Sequence, residues 1–89
     1  MAHMLIRHKV QDFDKWKAAY DAHQPARAAV GLTDLCLWHN LENPDDIFLL
    51  FEAVDVAKAQ TFAASTDLKE TMKSAGVVGQ PDIFFLFGD

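Results

Sequence analysis

The 89-residue sequence has a single cysteine, no cluster of lysine and arginine, and no long apolar run. Cys36 has no second cysteine with which to form an internal disulfide, which favours a reducing compartment. Acidic residues outnumber basic ones by 13 to 8, so neither nucleic acid nor an anionic membrane surface is an expected partner. No stretch approaches the roughly 18 apolar residues of a membrane span, and the first residues lack the core of a signal peptide. We therefore expect a cytoplasmic protein.

Apolar residues, in contrast, are abundant: 51% of the chain is hydrophobic and only 24% is charged. A chain of 89 residues predicts one domain, spanning residues 1–89. Such a domain buries only roughly 60–65% of the surface of its unfolded chain. Association with another chain is a common way to cover the remaining apolar surface.

Short β-prone runs alternate with amphipathic segments and predict four strands and two helical regions. The predicted strands are 4–10, 33–41, 46–54 and 83–87, and the helical regions are 13–31 and 55–76, with a loop at 76–82. Asp12 is suited to cap the first helix, which should run from Phe13 to Ala22. Pro25 either kinks that helix or begins a second short one, and Gly31 ends it.

The resulting order, βαββαβ, predicts a ferredoxin-like α+β fold with a four-stranded antiparallel sheet and the helices on one face. An antiparallel sheet with one solvated face should alternate apolar and polar residues. The third strand does not: Ile47, Leu49 and Phe51 face one side, and Phe48 and Leu50 the other. We therefore expect a second copy to cover the open face, giving a homodimer whose two sheets form an α+β barrel.

Several short motifs resemble the dimeric α+β barrel proteins near the antibiotic-biosynthesis-monooxygenase-like group. They are Lys9-Val10, Asp12-Phe13, Trp16-Lys17, Tyr20, His23, Arg27, Gly31, Leu37-Trp38, Phe62, Ala75-Gly76-Val77 and Pro81-Asp82. The resemblance implies cofactor-free monooxygenases of aromatic polyketides, polyketide cyclases, haem-degrading enzymes or small proteins without known activity. Haem degradation is not carried over, because Trp38, His39 and Asn40 are consecutive in one strand and alternate between its faces. No cofactor is expected.

His23 and Arg27 are the candidate catalytic residues, one helical turn apart. A neutral histidine accepts a proton near pH 7, and an arginine beside it stabilises a carboxylate or a developing enolate oxygen. Tyr20, on the same side of the helix, is a candidate to donate a hydrogen bond to a substrate oxygen. In the alternative interpretation, His23 only closes a helix end, and Arg27 pairs with an acidic residue such as Asp21 or Glu42.

Three further residues are candidate ligand contacts: Trp38, His39 and His8. Trp38 is expected in the core with its N–H bonded, and His39, sharing a face with Leu35 and Leu37, is expected to be partly buried. His8 reaches the same pocket if it faces the interior. No metal site is expected, because the four histidines lack the spacing of a helical pair and no cysteine pair occurs.

Two classes of function remain open. The first is a cofactor-free oxygenase or cyclase that acts on a small aromatic or polyketide-type molecule. The second is a non-catalytic module that binds a small apolar ligand or only dimerises, and a stress-related accessory protein is a weaker variant of it. A pocket that brings titratable groups together favours the enzyme, and a filled interior favours the alternatives.

Overall fold

Four antiparallel strands and four helices make up the computed structural model, which describes residues 1–88. The strands are β1 (Ala2–Val10), β2 (Leu32–His39), β3 (Asp46–Ala53) and β4 (Val77–Phe87), and the helices are α1 (Phe13–Ala22), α2 (Gln24–Ala29), α3 (Val56–Ala63) and α4 (Thr66–Ser74). The strand order is β2-β3-β1-β4, with every pair antiparallel. The predicted ferredoxin-like α+β fold is confirmed. Within residues 1–88, no helix combines the length and apolar character needed to cross a membrane.

The first helical region begins and ends where its local chemistry requires. The Asp12 carboxylate accepts hydrogen bonds from the backbone N–H groups of Asp14 and Lys15, at 3.0 and 3.4 Å, and so caps α1. Pro25 lies in the first turn of α2, so the chain forms a second short helix rather than one kinked helix. Gly31 follows at φ +76°, a conformation that glycine adopts without strain.

The second helical region divides in the same way. The side chain of Asp55 caps α3 by accepting from Lys58 N at 3.1 Å. The hydroxyl of Ser65 caps α4 by accepting from Leu68 N at 3.1 Å. These caps separate α3 from α4 near Ser65, because each supplies an acceptor for an otherwise unpaired N–H group.

The predicted loop at 76–82 is wrong, since β4 already begins at Val77. Val77 pairs with Val10, and pairing resumes at Asp82, opposite Arg7, after an irregularity in the register. Gly79, at φ +72°, lies within that irregularity. The glycine and proline that suggested a loop are therefore accommodated in a bulged strand.

The helix-facing side of the sheet carries the core, which includes Met4, Ile6, Leu49 and Phe51 together with Trp16 of α1. The opposite side is the open face. It is defined here by the apolar side chains and the cysteine that pair in register on that side: Leu5, Cys36, Trp38, Phe48, Leu50, Phe84 and Leu86. The third strand is thus apolar on both sides, as predicted.

Strand β2 corrects two predictions. Its register shifts between Asp34 and Cys36, so Asp34 lies opposite Phe51 on the helix-facing side while Cys36 lies on the open face. Trp38 follows onto the open face, where it is 48% exposed rather than in the core. His39 shares the helix-facing side of the sheet with Leu37, as predicted, but it is exposed and not partly buried as expected.

Candidate functional site

A small cavity lies between the helices and the sheet. Its volume is about 50 Å³, and most of its walls are apolar. Its polar lining consists of four of the candidate residues and one threonine: His8, Tyr20, His23, Arg27 and Thr71. The structure therefore brings both candidate catalytic residues and two of the four candidate ligand contacts to one place.

His8 enters the cavity from β1, where the register sets it beside Ile47 on the helix-facing side. It is 4% exposed, and neither ring nitrogen has a hydrogen-bond partner among the described residues. Trp16 packs against it edge to face, with 5.4 Å between the ring centroids. Burial lowers the pKa of His8 to about 4, although the charge of Asp46 opposes this shift. His8 is therefore a neutral imidazole at pH 7.

Arg27, in α2, is held by several contacts. It is 5% exposed, and its guanidinium donates two hydrogen bonds of 3.0 Å to the carboxylate of Asp34. A third bond, of 2.8 Å, runs to the carbonyl oxygen of Tyr20, whose ring lies 3.9 Å below the guanidinium carbon. The ion pair foreseen for Arg27 exists, with Asp34 in place of Asp21 or Glu42. Its charge is consequently compensated before any ligand arrives.

Tyr20 connects Arg27 to the aromatic wall. Its ring stacks on Trp16 with 4.9 Å between centroids. Burial raises the pKa of Tyr20 to about 12, and the positive charge of Arg27 reduces that shift. The phenol is therefore protonated at neutral pH and keeps a hydrogen-bond donor.

His23 lies at the mouth of the cavity, at the junction between α1 and α2. It is partly buried and stacks on Phe62 at 5.8 Å. Burial, and then the charge of Arg27, lower its pKa below the ordinary value of 6.5. Its lowered pKa favours the neutral imidazole at pH 7.

Outside His23 the cavity adjoins an open depression of about 540 Å³ between α1 and α4. The two spaces share Ala19, His23, Thr71 and Ala75 in their lining. Asp67 and Glu70 contribute carboxylates to the outer depression, and no lysine or arginine among the described residues lines it. The surface of this depression therefore carries negative charge.

Trp38 and His39 lie away from the cavity, on opposite sides of β2. The Nδ1 atom of His39 is 2.8 Å from the carbonyl oxygen of Pro44, and its ring packs against Phe13 at 4.2 Å. Trp38 belongs to the open face. The described residues contain no group of three or more histidine, cysteine, aspartate or glutamate side chains arranged to hold a metal ion.

Two contributors are missing from the sequence-based site: Asp34 and Thr71. Asp34 reaches Arg27 only because the bulge in β2 turns it to the helix-facing side, and no local sequence pattern marks that bulge. Thr71 lines both the cavity and the outer depression from α4. Its helical spacing from Leu68 and Ala75, which also line the cavity, is the signal that places it there.

No family model and no curated protein matches the chain. Solved structures match its fold at low identity. A protein provisionally described as an antibiotic biosynthesis monooxygenase, from Bordetella bronchiseptica, has a TM-score of 0.78 at 17% identity, covering 99% of this chain and 96% of that one. SnoaB, a cofactor-independent oxygenase from Streptomyces nogalater, solved as a point mutant, has a TM-score of 0.74 at 9% identity, covering 98% and 91%. The chain therefore has the fold of the antibiotic biosynthesis monooxygenase domain proteins, which confirms the resemblance at that level.

Proposed function

We propose that this protein is a cofactor-independent enzyme of the monooxygenase or cyclase kind, acting on a small aromatic or polyketide-type molecule. The observation that carries the proposal is the meeting of His8, Tyr20 and His23 at one otherwise apolar cavity. The fold shared with SnoaB, a cofactor-independent oxygenase, supports the same general kind of reaction. Titratable groups with perturbed pKa values in a cavity are typical of active sites.

In this proposal His23 is the proton acceptor. Its lowered pKa keeps it neutral at physiological pH, and its place at the mouth lets it meet a substrate C–H or O–H group. Tyr20 donates a hydrogen bond to a substrate oxygen. Arg27, already bonded to Asp34, acts as a positioning residue: it fixes Tyr20 and lowers the pKa of His23.

The chemistry requires no metal or organic cofactor. Removal of a proton from an activated phenol or β-dicarbonyl compound leaves an electron-rich anion. In an oxygenase that anion reacts with O₂, a CH₂ group becomes a carbonyl, and the second oxygen atom leaves as water. In a cyclase the same carbanion attacks a carbonyl within the molecule: a C–C bond forms, the C–O π bond breaks, and the resulting alkoxide takes back the proton held by the base.

Oxygen consumption and product mass spectrometry test the proposal, with hydroxylated anthrones and linear β-dicarbonyl compounds as substrates. We expect turnover by the wild type and at least a hundredfold lower kcat for His23→Gln, because general-base catalysis contributes about 10²–10⁴-fold. His39→Gln, a change at an exposed position in β2 outside the cavity lining and the open face, is the matched control and should keep full activity. Equal turnover by His23→Gln and the wild type would remove His23 from its role.

A non-catalytic ligand-binding module is the second candidate. It is favoured by the cavity volume of about 50 Å³ and by the complete charge compensation of Arg27. Under this alternative, compounds from the same panel bind but emerge unchanged after long incubation with O₂. Chemical conversion of any of them that depends on His23 would exclude it.

We also propose that the protein is a homodimer joined through the open face. This face presents several large apolar side chains, and Trp38, Phe84 and Leu86 are each 47–50% exposed. Contiguous apolar patches of this kind are typical of interaction sites. A second copy of the same sheet would cover them, since its own open face has the same excess of apolar surface.

Light scattering coupled to size exclusion tests the dimer. We expect a mass near twice the 10.0 kDa of one chain at micromolar concentration, and a monomer for Phe84→Lys, which places a charge within the face. Leu41→Lys is the control, because Leu41 is fully exposed in the turn after β2 and lies outside that face. A wild-type monomer at micromolar concentration would contradict the proposal.

A further inference from the structure

We infer that the cavity binds an uncharged ligand through a small group that both donates and accepts a hydrogen bond, such as a phenolic or enolic hydroxyl, and that His8 is its partner. This inference rests on the proposed function, because it takes the same cavity as the ligand site. It adds what the site recognises: a neutral hydroxyl group in preference to a carboxylate or a hydrocarbon.

His8 has unused hydrogen-bonding capacity. The imidazole is buried, and both of its nitrogens lack a partner among the described residues. Leaving a buried polar group unpaired costs about 1–3 kcal/mol. A neutral imidazole has one donor and one acceptor nitrogen, so a ligand hydroxyl satisfies either of them.

The cavity lining carries no uncompensated charge. The guanidinium of Arg27 is matched by the carboxylate of Asp34 through two hydrogen bonds. Tyr20 is a protonated phenol, and His8 and His23 are neutral imidazoles at pH 7. No uncompensated positive charge is left for an anionic ligand, and no free carboxylate lines the cavity for a cationic one.

The depression outside the cavity is acidic. Asp67 and Glu70 line the outer depression, next to the shared mouth at His23 and Thr71. Carboxylates at an entrance lower the local concentration of anions. The approach and the interior therefore select against the same class of ligand, although they lie on different elements of the fold.

The cavity is too small for a whole aromatic ring. An engineered apolar cavity of about 150 Å³ holds benzene, whereas this one measures about 50 Å³. One small polar group fits inside, and the ring that bears it remains near the mouth, beside His23. Met72, in the cavity wall, is unbranched and adaptable, so the wall can adjust to a ligand that approaches His8.

Phenol, benzoate and toluene are a matched set of probes, each a benzene ring with a different substituent. Their dissociation constants are measured by NMR titration at pH 7, and the ¹⁵N shifts of the His8 ring report direct contact. We expect phenol to bind and to shift both ring nitrogens, and benzoate to bind at least tenfold more weakly. In His8→Phe the preference for phenol over toluene should fall about tenfold, the effect of one hydrogen bond.

His39→Phe, an exposed position in β2 outside both the cavity lining and the open face, is the control and should keep the preference. If His8→Phe does not fold, the ¹⁵N shifts of the wild type decide, because toluene should leave them unchanged. Tighter binding of benzoate, an unchanged preference in His8→Phe, or no binding of phenol would each overturn the inference. Binding as expected without turnover of any panel compound would refute the catalytic proposal alone.

Discussion

Acidification should destabilise the protein through His8. This imidazole is 4% exposed, and its pKa is lowered from 6.5 to about 4 by burial. In the unfolded chain the same group recovers its ordinary pKa, so the unfolded state binds more protons between these two values. The contribution of the neutral His8 to stability is therefore complete above about pH 6.5 and is lost as the pH falls through about 4.

The size of this effect follows from the two pKa values. A difference of 6.5 minus about 4, at 1.36 kcal/mol per unit, corresponds to a total of about 3 kcal/mol. About 2 kcal/mol of this is already lost at pH 5, before most carboxylates titrate. Domains of this size have a free energy of unfolding of about 5–15 kcal/mol, so the loss is readily measured.

Urea unfolding between pH 7.5 and pH 5, at one fixed protein concentration, measures the effect. His8→Phe removes the titrating group and keeps a ring against Trp16, so its stability should vary much less over this range. His39→Phe, at an exposed position in β2 outside the open face, should show the same pH dependence as the wild type. The lowered pKa of His23 acts in the same direction, and comparison of the two variants separates it from His8. Equal pH dependence in His8→Phe and the wild type would refute the argument, as would an NMR pKa of His8 near 6.5.

Two further predictions concern the supports of the cavity and of β4. Asp34→Asn should destabilise the fold by about 2 kcal/mol, because it leaves the buried guanidinium of Arg27 without its counter-charge. In the control Asp21→Asn, whose ion pair is exposed, urea unfolding should show a loss of stability of less than about 0.5 kcal/mol. Equal losses in the two variants would contradict the buried position of the Arg27 guanidinium. Gly79→Ala should cost about 1–2 kcal/mol from backbone strain alone, since φ is +72° and no atom lies within 4 Å of an added Cβ. Thermal unfolding should show almost no change for Gly88→Ala, and an unaffected Gly79→Ala would indicate that the bulge relaxes.

The fold could be predicted from the sequence because its signals are local. Asp12 caps α1, Pro25 separates α1 from α2, and Gly31 closes the region, each through backbone chemistry within a few residues. The order of strands and helices then restricts the topology to very few arrangements. The two-sided apolar pattern of β3 likewise required only its own sequence to be recognised.

The faces of β2 and the extent of β4 could not be predicted in this way. A bulge shifts every later side chain to the other face, and it depends on the partner strand rather than on the bulged residues themselves. The shift between Asp34 and Cys36 is such a case, and it places Trp38 on the open face. The register shift near Gly79 similarly extends β4 back to Val77.

The same bulge also decides what Arg27 does in the candidate site. With regular alternation, Asp34 would lie on the same face as Cys36, and the guanidinium would remain uncompensated beside the cavity. An uncompensated arginine favours a carboxylate ligand, whereas an arginine bonded to Asp34 favours a neutral one. Asp34→Asn should therefore increase the affinity for benzoate relative to phenol, in addition to lowering stability. An unchanged ratio of the two affinities would show that Arg27 has no influence on ligand charge.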